Sequence, residues 1–295
     1  MFSHSRVWLP VLGALLLPAC AGLAETKLPA DSDESWSQRL IAPVTAPYFF
    51  ESPVIETNAQ LKWLRHEFPK SSIFDGGYAN IIALQLRYAV TDRFAIIATQ
   101  DGWVDMNPKA GSDTHGYNDI GLGFKYALLD DKENGTIVTA GLTYIGHSGD
   151  RDVLAGTGGG AYHPFVSAGW DLETCNIIAG IGSYLPVNGD KNSQFVDWHL
   201  HASWDDGEDP FIPLVEVNGL HYTNNGRTLP VNFEAVDYNN LGSANVDGND
   251  LITGAAGFRY RINKWTDFGM AFEAPITSRK DIFDKRVTLD LVRRF

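Results

Sequence analysis

Residues 82–90 have the sequence Ile-Ala-Leu-Gln-Leu-Arg-Tyr-Ala-Val, with a large apolar side chain at every second position. In an extended strand, successive side chains point to opposite faces, so the large apolar set shares one face and the remaining residues share the other. A shift of one residue would exchange the two faces, and Arg87 would then lie among the apolar side chains. Thr91 and Asp92 follow as a turn. The stretch therefore predicts a β-strand with one apolar face and one mixed face.

The same alternation recurs from about residue 58 to the end of the chain, in residues 120–128, 196–204, 252–262, 268–272 and 287–291. The segments are separated alternately by short and long polar connections. The short connections are 91–92, 130–134, 173–174, 205–209 and 263–264, and the long ones are 67–79, 104–117, 146–161, 186–193, 223–249 and 277–284. Outer-membrane barrels combine short periplasmic turns with long external loops. We therefore predict an all-β fold: a transmembrane antiparallel β-barrel of about 12 strands, with both termini in the periplasm.

Charge and hydropathy restrict the classes of partner. The chain of 295 residues has a formal net charge of -13 at pH 7 and a sequence pI near 4.9. Such a chain repels phosphate, so we expect no nucleic-acid partner. After the first residues, the sequence lacks the run of roughly 18 apolar residues that a spanning helix needs. A membrane location would then require a closed barrel, in which every backbone polar group is paired.

The amino-terminal residues have the layout of a cleavable secretory signal. Arg6 precedes an apolar run at residues 7–17, and small residues follow up to Ala24. We expect cleavage after Ala24 and divide the chain into a signal peptide (1–24), a largely irregular periplasmic leader (25–57) and the barrel (58–295). Residues 25–57 show no period, and a small plug is the alternative to a flexible leader, which we favour.

A soluble, secreted β-sandwich would also show alternating strands. Strands of about ten residues and the strict alternation of loop lengths favour the barrel instead. Aromatic residues near the predicted strand ends would form the girdle of a membrane barrel. They are Trp103, Tyr144, Trp170, Tyr184, Trp204 and Trp265.

Three stretches together carry a family resemblance: residues 84–102, residues 118–127, and residues 258–265 continued through 273–277 to Phe295. They resemble a family of bacterial outer-membrane proteins grouped with the meta-pathway phenol-degradation transporters. The resemblance covers nearly all of the mature chain and implies uptake of aromatic or other hydrophobic compounds. Its motifs describe strands and turns, so it supports the fold more than the function.

One strand face combines several groups that could bind ions. Asp197, His199 and His201 alternate along it, and a fourth group from a neighbouring strand would complete a zinc site. The simpler interpretation is the polar wall of a water-filled lumen, and we assign no metal. Acids at Asp119, Asp290 and other inward positions alternate with cations such as Arg286, which predicts cross-strand pairing. The predicted lumen-lining residues are Arg87, Lys125, Asp197, His199, His201, Glu216, Arg259, Arg261 and Glu273.

Two loop motifs suggest further chemistry. His147 and Ser148 contain the side-chain types of a barrel lipid hydrolase, although adjacent strand residues point to opposite faces and could not meet. Residues 245–250 carry acidic and amide oxygens that suggest opportunistic calcium binding, but they lack the spacing of a calcium loop. We assign no catalytic residue and no cofactor, and we do not expect an enzyme.

The leading functional hypothesis is a channel or transporter of the cell outer membrane that passes small solutes, aromatic or hydrophobic ones included, through a narrow charged lumen. An outer-membrane lipid hydrolase and a structural barrel with a closed lumen are the alternatives. The expected partners are outer-membrane lipid, a small-molecule solute and the barrel-assembly machinery, which would recognise the last strand through Phe295.

Overall fold

The computed structural model describes residues 39–156, 158–172, 174–205, 207 and 209–295. The predicted signal peptide, its cleavage point and residues 25–38 of the predicted leader lie outside the described residues. Within these ranges, no helix has both the length and the apolar character needed to cross a membrane.

Strands dominate the described chain. They are β1 (Asn58–Glu67), β2 (Gly77–Thr91), β3 (Phe94–Gln100), β4 (Trp103–Pro108), β5 (Thr114–Tyr117), β6 (Gly121–Asp131), β7 (Thr136–Ile145), β8 (Ala161–Asp171), β9 (Cys175–Pro186), β10 (Gln194–Trp204), β11 (Phe211–Asn224), β12 (Asp250–Asn263), β13 (Thr266–Pro275) and β14 (Lys285–Arg294). A short 3-10 helix at Arg151–Val153 lies in the loop before β8.

The sheet closes on itself because β1 pairs antiparallel with both β2 and β14. β2 pairs with β3 along one half and with β4 along the other, so β3 and β4 are one barrel strand interrupted at residues 101–102. β5 and β6 pair with β4 and β3 and form the next barrel strand. In the described part of the chain, the segments therefore make a closed antiparallel barrel of 12 strands, which confirms the predicted all-β barrel and its strand count.

One of the predicted long loops is much shorter in the structure. Residues 104–117 were expected to be irregular, but β4 and β5 occupy most of this range and pair as a hairpin from Trp103–Tyr117 to Met106–Thr114. The polar residues of these short strands weaken the alternation that marks the other strands. Backbone pairing does not need an apolar face, so the ladder continues to residues that the hydropathy pattern predicts as loop.

The two faces of the wall follow the predicted alternation. Leu84, Leu86, Phe124 and Ile181 are exposed on the outside, as expected for side chains that lipid would cover, while neighbouring Gln85 and other polar residues are buried inside. Tyr184 is the exception to the predicted girdle. It has the same parity as Gly180 and Gly182, points inward, and stacks on Phe195 with ring centroids 4.9 Å apart.

Residues 39–57, which we call the plug segment, lie inside the barrel. They form no strand, yet Leu40, Ile41, Val44 and Phe50 are buried, and the segment bonds with inward-facing side chains of many strands. The flexible leader that the sequence favoured does not describe these residues; they have the arrangement of the alternative, a small plug. Their irregular spacing follows the uneven lumen surface and so carries no period.

A second segment fills the lumen from the end that carries the long loops. Residues 225–249, which we call the inner loop, connect β11 to β12 and turn inward. Tyr238 and Leu241 are buried there, and the ring of Tyr238 lies 5.6 Å from that of His66 on β1. The inner loop and the plug segment contribute to one hydrophobic cluster, the plug segment through Tyr48 and Phe49.

Candidate functional site

The candidate site is the barrel lumen, since most of the predicted functional residues point into it. All of the predicted lumen-lining side chains except Arg261 are buried and face inward. Arg261 has the same parity but lies near the short-turn end, where its side chain is 26% exposed and pairs with Asp205 at 2.6 Å. The structure brings the others into one polar interior that surrounds the plug segment.

A basic sector occupies one side of this interior. Lys62 on β1, Arg87 on β2 and Lys125 on β6 point inward; β1 and β2 are adjacent, and β3 lies between β2 and β6. Arg87 and Lys125 both bond the carboxylate of Glu51 in the plug segment, each with a shortest contact of 2.7 Å. The alternation of side chains in the sequence predicted Arg87 and Lys125 but missed Lys62, because β1 directly follows an aperiodic segment and its alternation is short.

Arg259 connects the wall to the plug segment. Its guanidinium makes a bidentate pair with Asp290 on β14, at 2.8 and 2.9 Å. The same side chain donates to the backbone carbonyls of Ala42 at 2.7 Å and Pro43 at 3.1 Å. Lys62 completes the arrangement by bonding Asp290 at 2.9 Å. The buried carboxylate of Asp290 is therefore compensated by two wall cations, which is the condition for a buried charge to be tolerated.

Histidines and acids line the opposite side. The carboxylate of Asp197 contacts His163 Nε2 at 2.8 Å and His199 Nε2 at 3.0 Å, while His201 pairs with Glu216 at 2.8 Å. The two histidines of the Asp197, His199 and His201 motif are thus paired with different acids, His199 with Asp197 and His201 with Glu216. Among the described residues, no group of three His, Cys, Asp or Glu side chains is arranged to hold a metal ion. His163 was not predicted, because it lies on β8, far from the motif in sequence.

Side chains of the barrel wall bind backbone groups of the plug segment, as a binding site binds a peptide. Glu216 accepts hydrogen bonds from the backbone N–H groups of Val44 and Thr45, each at 2.8 Å, and also from the Thr45 hydroxyl. On other strands, Gln85 donates to the Pro47 carbonyl at 2.8 Å, and Thr139 donates to the Pro53 carbonyl at 2.6 Å. Wall donors therefore meet plug carbonyls, and a wall acid meets plug N–H groups.

The inner loop is anchored by two buried acids. Asp237 pairs with Arg286 at 2.7 Å, and Arg286 also pairs with Glu273 at 2.8 Å. Glu234 accepts backbone N–H bonds from Leu241 at 2.7 Å and Ser243 at 2.8 Å. Burial raises the pKa of Glu234 above its usual value, although these hydrogen bonds act in the opposite direction. The loop is therefore organised around a carboxyl group whose ionisation is disfavoured.

Little free volume remains beside the plug segment. A cavity of about 10 Å³ lies between this segment and the basic sector, and another of about 10 Å³ lies between Phe49, Tyr238 and the wall. A volume of this size holds about one water molecule. In this conformation, the plug segment and the inner loop fill the lumen, so a solute could cross only after one or both had moved.

The residues proposed for other chemistry organise loops instead. Ser148 Oγ accepts the backbone N–H of Ile120 at 3.1 Å. Asp119, which we expected among the lumen charges, accepts the backbone N–H groups of Gly149 at 2.9 Å and Gly156 at 3.1 Å, because it lies where the loop before β8 folds back. In the predicted calcium segment, the backbone N–H groups of Val246 and Asp247 bond the side chain of Asn225.

The barrel is similar to solved porin structures. The NanC porin aligns with 81% of this chain and 100% of its own, at 11% sequence identity and a TM-score of 0.52. The KdgM porin aligns with 80% of this chain and 99% of its own, at 10% identity and a TM-score of 0.45. No protein-family model and no curated protein matches the chain. At 11% identity, the likeness to NanC establishes the fold alone, and the predicted phenol-transporter grouping stays a prediction.

Proposed function

We propose that the protein is a gated transporter of the bacterial outer membrane, which passes small solutes when the plug segment leaves the lumen. The observation that carries this proposal is the way the plug segment is held. It is bound by side-chain hydrogen bonds and ion pairs and joins no strand of the barrel. A segment held in this way can be displaced while the wall ladders stay intact, since β1 continues to pair with β2 and β14.

The proposed orientation places both termini and the short turns in the periplasm, as in other barrels of this type. Phe295 is exposed at the end of β14, where assembly machinery could bind it. Aromatic solutes remain the proposed cargo class, supported by the family resemblance and by the aromatic cluster that includes Phe49 and Phe195 near the long loops. A solute entering from that side would meet these rings before the charged groups.

A structural barrel with a permanently closed lumen is the second candidate. The filled interior favours it, because the cavities beside the plug segment hold about one water molecule each. The two functions differ in whether displacement of the plug segment, without unfolding of the barrel, opens a path for solutes.

Gly169 on β8 offers a test of displacement that alters no charge. A Cβ atom at this position would lie 2.8 Å from Leu40 Cδ1 and 3.1 Å from Pro53 Cγ, both in the plug segment. We expect Gly169→Leu to disfavour the docked plug and to produce discrete conductance steps in planar bilayers. The wild-type protein should be mostly silent. Ala168→Leu, which adds the same side chain to the outward face of the same strand, is the matched control and should behave as wild type.

Candidate aromatic and sugar solutes, added to the conducting variant, would then identify the cargo by blocking the steps. A Gly169→Leu protein that folds, releases its plug segment to protease and yet conducts nothing would support the closed structural barrel.

A further inference from the structure

We infer that Arg87 and Lys125 form a binding site for a small organic carboxylate, and that Glu51 of the plug segment occupies this site when no solute is present. The inference rests on the proposed transport function for the arrival of the solute, and it names the solute's chemical class.

The geometry around Glu51 is that of carboxylate recognition. Arg87 Nε lies 2.9 Å from Oε1 and Nη2 lies 2.7 Å from Oε2, so the guanidinium presents two donors to two oxygens. Lys125 Nζ adds a third donor, 2.7 Å from Oε1. Such a fork matches the planar carboxylate in both spacing and direction. Gln60 orients the guanidinium by accepting from Nη1 at 3.1 Å.

The source of the carboxylate distinguishes this pair from the other buried cations. Arg259 and Lys62 pair with Asp290, and Arg286 pairs with Glu273, so these cations have partners on other strands of the wall. These cations therefore keep their counter-charges when the plug segment moves. By contrast, the carboxylate that the structure gives to both Arg87 and Lys125 belongs to the plug segment. When the segment leaves, these two cations are the ones that lose their counter-charge.

This difference couples solute binding to opening. Burial of two cations without a counter-charge is costly, so plug departure is favoured when an incoming anion replaces Glu51. A carboxylate solute and the plug segment then compete for one site. A ligand that binds only the open form shifts the population towards that form, in proportion to its differential affinity.

The surroundings of the site also define the rest of the solute. The adjacent cavity is lined by Phe50 together with Gln85 and Arg87. Phe50 stacks on His199 with ring centroids 4.8 Å apart and an interplanar angle of 16°. Phe50 and Glu51 thus present an aromatic ring and a carboxylate in succession. An aromatic carboxylate reproduces both groups, so benzoate is a suitable probe.

The test is rescue of the refolded full-length mature protein carrying Glu51→Ala. Benzoate at pH 7, compared with sodium chloride at the same ionic strength, should raise its melting temperature saturably, by roughly 3–6 °C at ten times the dissociation constant. The wild-type protein should show a much smaller shift, because Glu51 already fills the site. Glu56→Ala, which removes another plug carboxylate that pairs instead with Arg294, is the matched control and should gain no more than wild type.

Several outcomes would overturn the inference. Benzamide that is as effective as benzoate would show apolar binding, and sulfate that is as effective would show a general anion site. Rescue that persists in Glu51→Ala/Arg87→Gln would place the ligand elsewhere. If Glu51→Ala does not fold, the isosteric Glu51→Gln protein should bind benzoate more tightly than wild type, and equal affinity would refute the site. Because these readouts need no conductance, a silent bilayer with positive rescue would refute transport and leave the site standing.

Discussion

At the scale of single residues, the lumen contains two kinds of buried ion pair. Arg259–Asp290 joins two wall strands, whereas Arg87–Glu51 joins the wall to the plug segment. The alternation of apolar residues was sufficient to predict that Arg87 and Arg259 point inward, because a strand has only two faces. It could not reveal Glu51 or His163 as partners, since neither the plug path nor the distance between β8 and β10 is encoded in any local period.

Because Arg259 is buried and Arg261 lies near the solvent, we expect their substitutions to lower the free energy of unfolding by different amounts. Arg259→Gln leaves the buried Asp290 with one cation, Lys62, and removes two bonds to plug carbonyls, so we expect the free energy of unfolding to fall by about 3–5 kcal/mol. Arg261→Gln, near the solvent, should cost about 1 kcal/mol or less. Urea unfolding of both variants in lipid vesicles measures this difference. Equal losses would contradict the buried role of Arg259.

At the scale of elements, the plug segment and the inner loop close the lumen from opposite ends by different means. Docking of the plug segment combines ion pairs and backbone bonds with apolar contacts, and it shares with the inner loop the aromatic and aliphatic cluster around Tyr238. Neither could be predicted from the sequence. Their apolar residues contact an uneven surface of many strands, so they show no period of two and were interpreted as a leader and an external loop.

The inner loop should respond to pH through Glu234. Burial raises its folded pKa above the unfolded value, so the folded form retains a proton that the unfolded form has lost. The contribution to loop stability is therefore greatest below the ordinary glutamate range and decreases as the pH rises towards the raised value. Asp281, whose pKa burial also raises, acts in the same direction.

Limited proteolysis of the inner loop over a pH series measures this effect. We expect cleavage of the wild-type loop to increase with pH, after correction for protease activity on unfolded protein. Glu234→Gln should flatten the dependence, and Asp247→Asn, on the exposed part of the same loop, should leave it unchanged. A slope identical in wild type and Glu234→Gln would assign the pH response to another group.

At the scale of the whole molecule, the closed barrel is the feature that the sequence predicted best. Strands of about ten residues with alternating apolar and polar side chains, joined by alternately short and long connections, suffice to predict a closed sheet. Every such strand has one face towards the outside and one towards the lumen. The sequence also predicted the number of barrel strands, but it did not predict the interruption at residues 101–102 or the β4–β5 hairpin. Such irregularities arise from pairing between strands, which a single strand's hydropathy does not report.

The proposed membrane location makes a depth-dependent prediction. Ile181 is 55% exposed at the middle of β9, opposite Val166 and Trp198. Ile181→Arg should reduce the free energy of unfolding in vesicles by about 2–4 kcal/mol. Leu172→Arg, just beyond the short-turn end of β8, should cost about 0–1 kcal/mol. A soluble sandwich would show no such dependence on position, so equal costs would argue against a spanning barrel.

Closure of this barrel also dictates an order of assembly. The first strand pairs with the last, Asn58 opposite Arg294, and residue 57 leads directly from the plug segment into β1. Until the final strand has been made, the seam between β1 and β14 cannot form. Contacts between such distant parts of a chain form slowly. We therefore expect the seam to form late in folding, and its formation pairs the two strand edges that an open sheet would leave free.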